Sequence, residues 1–327
     1  MTRDISKRFT IYLLMIAVVI ALSTLALCLG DYSLSPHEVI HALMGQGPHF
    51  TQTVVLEWRL PRLCAAIVFG VSLALSGALF QTLTANPLGS PDVIGCAAGA
   101  HSGALIAMLF ASRSVSETFS GAILGGLLSA GVIYMLAWKG GINGFRLIII
   151  GIGITAALSA INSWLIATAR LEVAMSAAIW QAGTLSNLVP RPFAISCAGC
   201  ALALIVLMMI HPALRQLELG DDIARSHGIA VEWMRTMFIV IAVLLIALPA
   251  AVCGPIAFVA LIAPQVAKRL VGGAGIPLIS SALCGAIVLI ASDLVAQHIV
   301  RGVPVGAITV IIGGAYLLVL LGKADRI

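Results

Sequence analysis

Ten apolar stretches follow one another along this chain with only short polar joints between them. They lie near 9–29, 63–84, 92–110, 118–138, 145–167, 193–210, 234–253, 254–270, 278–299 and 305–321. A helix of about 20 apolar residues spans the hydrocarbon layer of a bilayer, and inside that layer a backbone must satisfy its own hydrogen bonds. The pattern therefore predicts an all-α, polytopic membrane protein in which 1–327 form a single transmembrane domain. With 61% hydrophobic and 9% charged residues, one soluble core is excluded. Two stretches, 92–110 and 254–270, are short or broken.

An even number of spans places both termini on one side. Twelve of the 18 Lys and Arg then fall on that side, and six fall opposite: Arg59, Arg62, Arg113, Arg170, Arg191 and Arg301. The positive-inside rule predicts both termini in the cytoplasm. The net charge of +5 is in part this bias and implies no nucleic acid. The run Ile11–Leu29 is longer than a typical signal core and lacks a small-x-small cleavage site followed by a soluble domain, so it reads as the first helix.

Arg59-Leu60-Pro61-Arg62 concentrates charge at the mouth of the second span, where it is costly unless something outside the lipid uses it. An acidic soluble partner is one user; a lipid phosphate, or no user at all, is the other reading. At the opposite end the longest polar segment, 211–235, carries Arg215, Glu218, Asp221, Asp222, Arg225, His227, Glu232 and Arg235. Gly220 and Gly228 divide it, and Leu214, Leu217, Ile223 and Ile229 give its pieces an apolar edge. Two short interfacial helices joined by a turn fit this pattern, either as a docking site or as a solvated loop.

Within the joint 84–95, Pro87 and Pro91 prevent a helix from continuing, and Asn86, Ser90 or Asp92 would cap the next one. Such broken backbone at membrane depth is tolerated beside protein or a water-filled cavity. Gly95, Gly99 and Gly103, and likewise Gly121 and Gly125, recur every four residues and predict close helix packing. No G-x-x-x-x-G-K-[ST] sequence occurs, so any ATP that drives this protein is hydrolysed by another subunit. Of the seven cysteines only Cys197-x-x-Cys200 has metal-like spacing, and it lies in an apolar helix with no matching pair, which favours packing.

Five motifs then occur in order. They are Glu57-Trp-Arg-Leu-Pro-Arg62, Ser76-Gly-Ala-Leu-Phe-Gln-Thr-Leu-Thr-Ala-Asn-Pro-Leu-Gly-Ser-Pro91, Leu219-Gly-Asp-Asp-Ile-Ala-Arg-Ser-His-Gly228, Gly254-Pro-Ile-Ala-Phe-Val-Ala-Leu-Ile-Ala-Pro264 and Val303-Pro-Val-Gly306. From about residue 30 to the C-terminus the chain resembles the iron-siderophore and vitamin B12 permeases of ABC importers. Glu57-Trp58, Phe145–Gly153 and the Gly-Ser-Pro-Asp loop are most similar to ferric-enterobactin permease subunits.

That resemblance implies a non-catalytic subunit with ten helices in a bacterial inner membrane, paired around a central pathway with a second permease, a heterodimer being favoured over a homodimer. It implies a periplasmic siderophore-binding protein that delivers cargo and a pair of cytoplasmic ATPases. It matches Arg59 and Arg62 to positions that pair with acids of the binding protein. A third arginine is expected four residues after Asp293, where this chain has Gln297; Arg301, one turn on, is the substitute. The resemblance also places coupling helices in 211–235, with Leu217, Gly220, Asp221, Asp222, Arg225 and Gly228 as contacts. Where the family often has Pro-His, this chain has Pro264-Gln265.

For the pathway the candidates are Gln81, Asn86, Thr155, Ser159 and Asn162. Gly151, Thr155, Ser159 and Asn162 share one helical face, which suits either a weakly binding wall or plain interhelical bonding. No cofactor or metal is expected. Asp293, a carboxylate deep in a span, supports a rival reading as an ion-coupled secondary transporter. Motifs of intramembrane enzymes are absent from the chain.

Overall fold

The computed structural model describes residues 2–91, 95–110, 114–139, 144–272 and 275–324, with side chains from residue 7 to residue 319. Asp92, expected as a cap, and Arg113, counted above, lie outside the described residues. The described chain is helical. Its helices are α1 (Thr2–Cys28), α2 (Pro36–Leu43), α3 (His49–Gln52), a π-helical turn (Thr53–Arg59), α4 (Leu60–Leu83), α5 (Cys96–Phe110), α6 (Val115–Ala137) and α7 (Gly144–Thr168). They continue as α8 (Leu171–Gln181), α9 (Pro190–Leu217), α10 (Asp221–Ser226), α11 (Val231–Cys253), α12 (Val259–Val271), α13 (Leu278–His298) and α14 (Val305–Ala324).

Among the described residues, seven segments are long and apolar enough to cross a membrane, with Cys96–Phe110 and Val305–Val319 as shorter apolar helices. Together with α12 these occupy the ten expected stretches. The stretch 254–270 needs correction at its start, since Gly254–Phe258 is not helical. Gly254 has φ 74° and Phe258 φ 68°, so the chain leaves α11 and enters α12 through two left-handed residues around Pro255, and α12 is only 13 residues long.

α4 and α11 form the centre. Phe69, Leu73, Leu79 and Phe80 of α4 are buried against Phe238 and Leu245 of α11 and Leu289 and Ile290 of α13. Little hydrophobic force operates between helices within lipid, so backbones gain by approaching closely. The expected glycine stripes do this. A Cβ on Gly103 would strike the Gly121 carbonyl oxygen and one on Gly125 the Gly99 carbonyl oxygen, and so α5 and α6 meet backbone to backbone. Gly70 of α4 and Gly285 of α13 repeat the device: a Cβ on Gly70 would lie 2.5 Å from the Gly285 oxygen.

Two further expectations change. Residues 211–217 do not form a separate helix: α9 runs through Pro212 to Leu217, so the polar segment holds one free-standing helix, α10, between Gly220 (φ 108°) and Gly228 (φ 79°). Leu214 and Leu217 turn their apolar edge to the core, while Ile223 is exposed. In the joint after α4, Asn86 does not cap α5; its Oδ1 accepts from the Leu88 N–H at 2.9 Å, closing a local turn beside Ala85 (φ 48°).

Candidate functional site

The three candidate docking arginines lie at one end of the bundle, where α1 ends and α4 begins, and they are engaged to different degrees. Arg59 precedes α4 and reaches back 32 residues: its Nη1 donates to the Leu27 carbonyl at 2.6 Å and the Cys28 carbonyl at 3.3 Å, and its Nη2 to the Tyr32 carbonyl. The last carbonyls of a helix lack intrahelical partners and carry partial negative charge. Arg59 thus caps α1 and ties the following loop to α4.

Arg62, one turn further on, grips Asp293 of α13 with two parallel bonds, Nε to Oδ2 at 2.9 Å and Nη2 to Oδ1 at 2.8 Å. The Asp293 side chain is 7% exposed and that of Arg62 23%. Gln297 completes the group by donating to Asp293 Oδ2 at 2.6 Å. Bidentate guanidinium–carboxylate pairing is the strong form of this interaction, and it gives the one deep carboxylate a fixed counter-charge. Arg301 behaves differently: it lies 3.3 Å from Asp31 with both side chains largely exposed (70% and 92%).

Beside them Trp58, 61% exposed, meets Phe50 edge-on at 6.4 Å, and Phe50 meets Tyr32 at 5.2 Å. Aromatic groups of this kind gather at the lipid–water boundary. A cleft of about 130 Å³ opens between Trp58, Arg59, Arg62, Asp293 and Gln297.

At the opposite end, α10 is held to α11 by Asp221 and Arg235, 2.7 Å apart and both partly buried. Arg225 is flanked by Asp222 at 3.6 Å and Glu232 at 4.0 Å. Glu218, at the end of α9, accepts at 3.4 Å from the Thr82 hydroxyl of α4 and at 3.4 Å from the Ile276 N–H before α13. Leu219, Ile223 and Trp233 stand exposed around these charges. Leu217 is packed against the core and Gly220 and Gly228 are turn positions, which leaves Asp222 and Arg225 as the accessible polar members of the expected set.

The five pathway candidates sit on α4, in the joint after it and on α7. Gln81 is buried between α4 and α12, donating to the Leu261 carbonyl at 3.0 Å and accepting from Gln265 at 2.6 Å. This gives Gln265, the departure from the Pro-His pattern, a definite partner. Asn86 closes its turn. Thr155 donates to the Gly151 carbonyl at 2.7 Å, Asn162 to Ala98 of α5 at 3.4 Å, and Ser159 lies on the exposed side of α7. Sequence reasoning named Glu218 and Arg235 among the charges of 211–235 but missed their partners, and it missed the Arg62–Asp293 link. The only signal for the last was that a buried acid requires a cation.

The chain matches the model of the FecCD transport family over residues 15–323. It is 42% identical over 325 residues to the ferric enterobactin transport system permease protein FepG of Escherichia coli (strain K12), covering 98% of each chain. It is 30% identical to the ferric enterobactin transport system permease protein FepD of the same strain, over 99% of this chain and 97% of that one. Among solved structures, an inward-facing conformation of a protein described as a metal-chelate type ABC transporter superposes with a TM-score of 0.84 at 26% identity, over 97% of this chain and 99% of the other.

Proposed function

This chain belongs to the FecCD transport family, and from that membership we propose that it is the membrane permease subunit of an ATP-driven importer carrying a ferric siderophore of the enterobactin type into the cytoplasm. The observation that carries the reading is end-to-end similarity, without gaps of domain size, to the ferric enterobactin permease FepG. In Escherichia coli the ferric enterobactin transport system has two different permease proteins, FepG and FepD, which favours a heterodimer here. ATP is hydrolysed by a separate pair of cytoplasmic subunits, and a periplasmic binding protein delivers the cargo. The membrane is the bacterial inner membrane, with both termini cytoplasmic.

In this reading the arginine end faces the periplasm. Arg301 and the outer edge of Arg62 meet carboxylates of the binding protein, while Arg59 shapes the surface by fixing α1 and its loop. The α10 end faces the ATPases, with Leu219, Ile223, Trp233, Asp222 and Arg225 as the contact surface. Because Asp221 and Glu218 tie that surface to α11, α4 and the start of α13, a push on α10 reaches helices on both sides of the core.

The rival reading, an ion-coupled transporter using Asp293, is disfavoured by geometry. A proton or cation carrier must exchange its ion, whereas Asp293 is held by Arg62 and Gln297 on both oxygens. Complementation tests the proposal: expressed with its own second permease and ATPase in a host lacking ferric enterobactin permeases, the chain restores growth on ferric enterobactin as sole iron source. Failure to restore growth, with the complex present in the membrane, would count against it.

A further inference from the structure

Helix α2 lies outside the spans, at the arginine end, and carries two histidines one turn apart, His37 and His41. Their Nε2 atoms face each other at 3.1 Å, with ring centroids 4.3 Å apart. The platform under them is well held. Ser35 and Glu38 form a complete capping box, Pro36 starts the helix, and Val39 and Ala42 are buried beneath it. Ser35, through its backbone N–H first and its hydroxyl second, holds the Glu38 carboxyl below its ordinary range, so that carboxylate is committed to the cap.

From this arrangement we infer that His37 and His41 form a surface site for a divalent transition-metal ion of the imidazole-preferring kind, Cu²⁺ or Zn²⁺. A metal about 2.0–2.1 Å from each nitrogen would see the 3.1 Å separation at an angle of roughly 100°, between the square and tetrahedral values. The i, i+4 spacing places both rings on one helix face, so the chelate forms without moving the backbone. Water fills the remaining positions, because no third His, Cys, Asp or Glu completes a cluster among the described residues. Cu²⁺ binds more tightly than Zn²⁺ at such a site. Without metal, the same distance serves an N–H···N hydrogen bond between the rings.

The test uses the full chain in detergent, without a polyhistidine tag. Cu²⁺ alone is titrated by calorimetry, and its bound spectrum is read by electron paramagnetic resonance. One Cu²⁺ per chain with two nitrogen ligands is expected, and Zn²⁺ should compete for it. His37→Gln and His41→Gln should each weaken binding at least about tenfold, while His227→Gln leaves it unchanged. His37 is exposed and His41 half-buried, so the variants are checked for an unchanged elution volume and thermal midpoint. Stoichiometric binding that survives in the double variant, or no binding by the parent chain, would overturn the assignment.

Discussion

The Arg62–Asp293 pair is the residue on which most depends. Removing one partner leaves the other charged in a place shielded from water, a loss of about 3–5 kcal/mol for a buried pair and under about 1 kcal/mol for an exposed one. With Arg62 partly exposed, Arg62→Gln should cost about 2 kcal/mol, seen as a lower thermal midpoint in detergent. Adding Asp293→Asn to it should recover most of that loss, since the stranded charge disappears. Equal and additive losses would show that the two side chains are not coupled. Arg301 belongs to the other regime. Its exposed pairing with Asp31 adds little to stability, so Arg301→Glu should leave the thermal midpoint unchanged yet slow association with the binding protein by about five- to tenfold at low salt, an effect that fades as salt rises. A salt-independent rate would remove Arg301 from the docking surface. Reversing Arg59 would be a poor probe of docking, because it would also uncap α1.

At the scale of elements, the glycine contacts and the α10 end make separate claims. Gly103→Leu would force α5 from α6 at the Gly121 carbonyl and should cost about 3 kcal/mol or more, read as loss of folded protein from the membrane; Gly131→Leu, where nothing lies within 4 Å of an added Cβ, should be tolerated. At α10, Glu218→Gln keeps the shape of the side chain but weakens its hold on Thr82 and Ile276. ATP hydrolysis by the assembled complex should continue while transport per ATP falls. Unchanged transport would show that Glu218 only packs. Most spans were legible within a few residues because each needs about 20 apolar residues. α8 was not, since its 11 residues are too few to span and it follows Arg170 as if still a loop. α2 and the π-helical turn were missed for the same reason. The continuation of α9 past Pro212 was hidden by the usual rule that proline ends a helix, and the split of 211–235 at Gly220 and Gly228 was visible because glycine takes positive φ at little cost.

For the whole molecule, the chain shows a helical bundle whose central helices α4 and α11 are tied at one end by Arg62 to α13 and at the other, through Glu218 and Asp221, to α9 and α10. The class of protein was readable from apolar length and charge bias, and the arginine motif falls where α1, α4 and α13 are tied together. The partners of those arginines were not readable: Leu27 is 32 residues from Arg59 and Asp293 is 231 from Arg62, distances at which no periodicity or motif carries information. Nor could a shared helical face distinguish a pathway from packing, since small polar residues serve both. The central claim is ATP-driven siderophore import, and the direct measurement is uptake of radio-iron enterobactin by proteoliposomes holding this chain, its second permease and the ATPase pair, with the binding protein added to the side of Arg301. Uptake should require ATP and the binding protein and should persist when the proton gradient is collapsed. Uptake that continues without ATP and stops with the proton gradient would contradict the account and return Asp293 to the role of ion carrier.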